Sequence, residues 1–266
     1  MDHIAPYIKL FGIQFDLSVI LMILVTCIVV FVLAKLGTRN ASVTNPSKMQ
    51  NFVEWIVEFV ENIIGSSMEK KQGKPFVMLG ITLIMFIFVG NMLGLPFAVV
   101  TEHEHPAAIF GQEFVTQAQI DELAVAAEKK GEQSHGASVL WWKSPTANPS
   151  VTMGLAALVI GLSHFLGIFR NPRGYFKHYV EPNVAFLPIH LIEQVSKLLT
   201  LGLRLFGNIF AGEVMIAVIL GLGIWGIPAL LAWQGFSIFV GSIQAYIFTM
   251  LTMVYISQVM PHDEKH

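Results

Sequence analysis

Uncharged apolar stretches of membrane-crossing length recur along this chain, separated by short polar segments. Leu17–Ala34 holds no charge and is long enough to span a bilayer as a helix. Pro75–Val100 is a second such stretch. It ends in Gly90-Asn91-Met92-Leu93-Gly94-Leu95-Pro96, where an amide and small residues suit close contact with a neighbouring helix. Ser144–Phe169 is a third, with His164 near its end read as an interhelical hydrogen-bonder. Glu181 to about Leu222 shows no break. Some ~40 helical residues would run ~60 Å against a hydrocarbon core of ~30 Å. This pattern predicts either a steeply tilted helix or two helices with a re-entrant corner. Gly221–Pro228 predicts a tight turn, and Leu230–Val259 returns across the membrane without a formal charge. The fold class is therefore an all-α membrane protein with about five crossings in one integral membrane domain, 1–266.

The polar segments predict sidedness and two further elements. Lys35, Arg39 and Lys48 follow the first stretch, Lys70, Lys71 and Lys74 precede the second, and Arg170, Arg173 and Lys177 follow the third. The positive-inside rule places these in the cytoplasm, with the N-terminus outside and the tail His262–His266 inside. Ser47 and Gln50 stand at capping-box spacing. Phe52, Trp55, Ile56, Phe59, Val60, Ile63 and Ile64 follow with helical periodicity, while Glu54, Glu58 and Glu61 fall off that stripe. They predict an amphipathic helix on the cytoplasmic face, packed against other helices rather than drawn to lipid headgroups, because its polar side is acidic. Residues 101–143 are polar and mixed in charge, and read as an extracytoplasmic loop insertion with one short helix around Thr116–Lys130. His103 and His105 lack a fixed third ligand and belong to a solvated loop rather than a metal site.

Composition agrees. Of 266 residues, 54% are apolar and only 13% charged, and the mean hydropathy is +0.64. A net charge of −2 gives no nucleic-acid signal, and the single cysteine, Cys27, permits no intrachain disulfide. No internal repeat is evident, which argues against inverted-repeat transporters. The first residues lack the basic start and cleavage site of a signal peptide, so the first span is expected to act as its own insertion signal.

The candidate chemistry lies in the fourth apolar segment. Arg204 carries a permanent charge in a stretch apolar enough for lipid. Such a charge at the bilayer centre costs on the order of 2.5–3.5 kcal/mol, and its default explanation is an ion or charge pathway. On a helical wheel, Lys197 lies within about 20° of Arg204 and Asn208 within about 40°. Glu213 lies about 180° away and ~13 Å further along, so the two charges are not an intrahelical salt bridge. Gly202, Gly207, Ala211 and Gly212 strip bulk from the helix and permit close approach of another. A carboxylate can take up a proton in an aqueous inlet. A fixed guanidinium cannot pass one on, but it favours the ionised form of a passing carboxylate. Ser237 and Gln244 share one face of the last helix, and either a proton path or interhelical bonding suits them.

LTLGLRLFGNIFAGE (199–213) and SIFVGSIQAYIFTMLTMVYI (237–256) resemble subunit a of the F-type rotary ATP synthase. PFVMLGITLIMFIFVGNMLGLPF and WWKSPTANPSVT also resemble it, in forms close to those of Bacillus-like bacteria. The likeness covers nearly the whole chain outside roughly 101–138.

The resemblance implies a bacterial plasma-membrane stator subunit with a long, tilted C-terminal helical hairpin set against a ring of c subunits. Two offset half-channels would carry protons to and from the c-ring carboxylates, coupling ion flow to rotation and ATP synthesis. The implied partners are the c-ring, the b-subunit stalk, the remaining ATP synthase subunits and the bilayer. No cofactor, metal or nucleotide site of its own is implied, so the chain is not by itself an enzyme. Arg204 matches the family's essential arginine, which separates the half-channels and engages each c-ring carboxylate. Glu213 matches a carboxylate of the outer half-channel, Asn208 and Gln244 match polar neighbours of the arginine, and His190 falls near an inner half-channel position. Some relatives carry histidine where this chain has Ser237, and many carry aspartate where it has Asn148. Both departures favour conduction through water over a direct side-chain relay. The alternative is a stand-alone secondary ion transporter or channel using the same Arg204 and Glu213. An intramembrane protease finds no suitable dyad, and a pure scaffold gives no reason for Arg204.

Overall fold

The structure, a computed structural model, describes residues 4–10, 12–95, 99–109, 111–130, 136–170, 172, 174–175 and 186–260. Pro96, Arg173, Lys177, Glu181 and the tail His262–His266 lie outside the described residues. In chain order the elements are β1 (Tyr7–Leu10), β2 (Ile13–Asp16), α1 (Leu17–Thr38), α2 (Lys48–Ser67), α3 (Lys70–Gly73) and α4 (Val77–Leu93). There follow β3 (Val100–His103), β4 (Ala107–Ile109), β5 (Gln112–Val115), α5 (Gln117–Lys130) and β6 (Ala137–Leu140). The long helices that follow among the described residues are α6 (Pro149–Arg170), α7 (Leu187–Leu220) and α8 (Gly226–Val259). Among the described residues, five helical segments are long and apolar enough to cross a membrane: Leu17–Thr38, Lys70–Leu93, Pro149–Arg170, Leu187–Leu220 and Gly223–Val259. The chain is a membrane protein of the all-α class, and among the described residues its short strands form two-stranded sheets. Contacts divide it into two compact units, Met1–Ile28 with Gly90–Pro145 and Val29–Val89 with Thr146–His266.

In the first unit, the described residues of 101–143 hold more regular structure than a loop with one short helix. The expected helix is present as α5. Around it β3 pairs antiparallel with β6, and β4 with β5. Phe114, Val115, Ile120, Ala137 and Val139 form a buried cluster that Trp141 and Ile4 pack against. His103 is half-buried, its Nε2 2.9 Å from Thr101 Oγ1 and its ring edge-on to Phe114. The alternation of apolar positions is too short in each strand to stand out from a mixed polar segment; only pairing across the chain reveals it. The β1–β2 hairpin, also not anticipated, pairs Tyr7 opposite Asp16. Burial, and then the Asp16 carboxylate, hold the Tyr7 phenol above its usual range.

Asp16 also starts α1. Its Oδ1 accepts from Ser18 N at 3.0 Å, Ser18 Oγ at 2.6 Å and Val19 N at 3.3 Å, while Oδ2 accepts from Lys143 Nζ at 2.6 Å. An N-cap carboxylate offsets orphan helix donors, and the lysine balances a charge that would otherwise be buried alone. Next to Lys143, Trp142 Nε1 donates to Leu93 O at 2.7 Å and Ser144 Oγ to Gly90 O at 3.0 Å, satisfying carbonyls at the end of α4.

In the second unit, α2 begins as its sequence signature requires, with Ser47 Oγ accepting from Gln50 N at 3.1 Å. The Gln50 side chain clasps the preceding loop instead of closing the box. Its Oε1 accepts from Ser42 N and its Nε2 donates to Ser42 O and Glu54. Ile56, Val60, Ile63 and Ile64 are buried, and α2 packs on α8. Phe52 and Trp55 stay exposed, so the apolar stripe is wider than the packed face. Gly80 of α4 lets Val60 and Met253 approach; a Cβ there would meet Val60 at 2.6 Å.

Candidate functional site

Helix α7 carries most of the candidate residues. Glu181 to Leu222 was open to two forms. The described part is one unbroken helix of 34 residues, about 51 Å long at 1.5 Å per residue. Leu201, Gly202, Leu205 and Ile219 are its buried positions, and they form a narrow strip. The helix packs there against α6 and α8. Gly202 makes the approach to α6 possible, because a Cβ would meet Met153 Sδ at 2.5 Å. Elsewhere the helix is open: only 11% of its most apolar window is buried, the lowest share among the five spans.

The two cations on one face of α7 differ sharply in their surroundings. Lys197 Nζ lies 2.9 Å from Glu193 Oε1, donates to Gln258 Oε1 at 3.3 Å and sits 5.6 Å above the Tyr255 ring. His190 Nδ1 lies 3.7 Å from the other oxygen of Glu193. Lys197 is thus held by its own chain. Arg204 is exposed, and no carboxylate pairs with it among the described residues. The phenol of Tyr255 lies within its electrostatic range. Beside it, Gly207 and Gly212 would find no atom within 4 Å of an added Cβ. Lipid cannot cover a bare guanidinium cheaply, so this open face calls for a protein or aqueous partner carrying negative charge.

Two links join the antiparallel α7–α8 hairpin. Lys197 meets Gln258 toward one end, and Trp233 Nε1 donates to Gly212 O at 3.2 Å toward the other. Ser237 and Gln244 on α8 are half-buried. Glu213 is exposed, next in sequence to the carbonyl that Trp233 caps, and Asn208 is half-buried. The turn is tighter than Gly221–Pro228. Gly223, at φ +61°, opens a short 3-10 turn, and α8 already begins at Gly226 with Pro228 in its first turn, where a missing N–H costs nothing.

Asn148 has a local structural task. Its Oδ1 accepts from Ser150 N at 2.9 Å at the start of α6. Asparagine and aspartate cap a helix about equally well, so the amide preserves the cap. His164 hydrogen-bonds Tyr175, with Nδ1 2.8 Å from the phenol oxygen, as its reading as a bonding residue anticipated. Among the described residues no group of three or more metal-type ligands occurs. Sequence reasoning missed Glu193, Tyr255 and Gln258 as partners of Lys197. The glutamate was detectable, since it precedes Lys197 by four residues, the favoured orientation for a helical ion pair.

The family model described as ATP synthase A chain matches residues 19–257. The chain belongs to that family. Among similar proteins, the ATP synthase subunit a of Anoxybacillus flavithermus is 47% identical, over 99% of this chain and 100% of that protein. The subunit a of Staphylococcus carnosus is 44% identical and that of Bacillus subtilis 43%, each over 99% of this chain and 100% of the relative. Membership of the ATP synthase A chain family makes this a membrane-embedded stator subunit that works with other ATP synthase subunits. In that light an exposed arginine is no defect of packing.

Proposed function

We propose that this chain forms the stationary wall past which a ring of c subunits turns, with Arg204 separating two proton half-channels. The observation that carries this reading is the contrast within α7: Lys197 is neutralised by its own chain, whereas Arg204 is exposed beside Gly207 and Gly212. The anion for Arg204 is then a c-ring carboxylate. Its proton is lost as the guanidinium favours the charged form. Glu213 lies on the outer half-channel, with Ser237 and water taking the place of a side-chain relay. Asn208 and Gln244 order the neighbourhood of the arginine. His190 lies toward the inner half-channel, Asn148 toward the outer one, and the b-subunit stalk holds the chain against the torque. The N-terminus lies outside the cell and the C-terminus in the cytoplasm. Segment 101–143 is extracytoplasmic.

One elementary charge crossing the membrane is worth about 2.3 kcal/mol per 100 mV, so ATP synthesis needs several such steps added mechanically. A path running directly past Arg204 would leak the gradient without turning the ring. A stand-alone transporter would need the counter-charge inside this chain, and Arg204 pairs with none among the described residues. In assembled complexes, Arg204→Ala is expected to abolish ATP-driven proton pumping in inverted vesicles. Normal pumping by that variant would overturn the reading.

A further inference from the structure

Away from the α7–α8 face, a cavity of about 220 Å³ opens between the last turns of α2 and the start of α3 and α4. Lys70, Lys74, Glu61 and Asn62 line it together with the apolar Ile64 and Val77. A liquid water takes ~30 Å³, so the space suits a phosphoglycerol group better than a single ion. Its depth is set by the sequence: Lys74 precedes by three residues Val77, where the uncharged helix α4 begins. Two exposed ammonium groups therefore stand at the level of lipid headgroups. Neither is paired among the described residues, and Glu61 shares the cavity without bridging to either.

We propose that this cavity binds the headgroup of an anionic diacyl phospholipid bearing one phosphodiester. The two lysines and one glutamate give the lining a single net positive charge, which matches that phosphodiester. Glu61 and Asn62 accept hydrogen bonds from the hydroxyls of a glycerol headgroup. Val77, half-buried at the start of α4, meets the upper part of an acyl chain, which free phosphate does not have. A zwitterionic headgroup would set its own ammonium beside two lysines. The acidic face of α2 argued against a general attraction to lipid. The site lies where that face ends and the lysines of α3 begin.

The test is native mass spectrometry of the purified full chain, released from detergent micelles doped with phosphatidylglycerol, with phosphatidylethanolamine or with inorganic phosphate. One phosphatidylglycerol per chain is expected to be retained. The double variant Lys70→Gln/Lys74→Gln should bind it about thirtyfold more weakly, from the contribution of each lysine near an anionic surface. Gly65 also lines the cavity, and a Cβ there meets no atom within 4 Å. Gly65→Leu should therefore displace the lipid while leaving all charges in place and the thermal stability unchanged. Lys71, which does not line the cavity, serves as the control, and Lys71→Gln should retain the lipid. The proposal is overturned by undiminished retention in the double variant, by equal loss in Lys71→Gln, by equal retention of phosphatidylethanolamine, or by displacement with inorganic phosphate alone.

Discussion

Replacing Lys197 with methionine should slow ATP-driven proton pumping by roughly tenfold at most, where Arg204→Ala is expected to abolish it. The two cations lie seven residues apart on one face of one helix, about 10 Å from each other along the axis. Their surroundings set the difference. Lys197 contributes a salt bridge to Glu193, which is half exposed (49%), so the pair is worth only ~0.2–1 kcal/mol after solvent screening. Its position over Tyr255 adds ~0.5–1 kcal/mol. Losing both loosens the ends of α7 and α8 by about 1–2 kcal/mol, or on the order of a tenfold rise in local opening. Nothing in that sum touches the counter-charge of Arg204. The assay is fluorescence-quench pumping by inverted vesicles, with assembly checked by recovery of the intact complex. A complete loss of pumping in assembled Lys197→Met complexes would refute the reasoning, since Lys197 would then act in translocation and not merely in tying two helices together.

Gly202 and Gly207 should separate packing within the chain from packing against a partner. Gly202→Val, forced onto Met153, should destabilise the purified chain by about 1–3 kcal/mol in denaturant titration. Gly207→Val, with open space around it, should leave that stability within about 0.5 kcal/mol yet lower coupled pumping in the complex. In the other unit, Lys143→Met leaves the 6%-exposed carboxylate of Asp16 with its cap hydrogen bonds but no cation. Because the lysine is itself partly exposed, the loss should fall near ~2–3 kcal/mol, at or below the low end for breaking a buried pair. It should appear as faster amide exchange in 100–140, and unchanged exchange there would sink the idea.

The sequence by itself determined the helical membrane fold. Runs without charge have no stable alternative to a helix in lipid, because every backbone donor and acceptor must be satisfied within the span. For the same reason Arg204 stood out from composition alone. The cap at Ser47 and the stripe on α2 were legible because both depend on residues within one or two turns of each other. The Glu193–Lys197 pair is equally local, and it was overlooked rather than hidden. Tertiary structure decided what depends on distant residues. Strands β3 and β6 form only when segments more than thirty residues apart pair, as Val100 does with Leu140. Asp16 finds Lys143 across a far longer separation, 127 residues. The wheel gave Arg204 and Lys197 the same face. Glu193 neutralises Lys197 within α7, and only the packing of α8 showed that Gln258 and Tyr255 also hold Lys197 while Arg204 is left exposed, because which side of a helix is covered depends on its neighbours rather than on its own sequence.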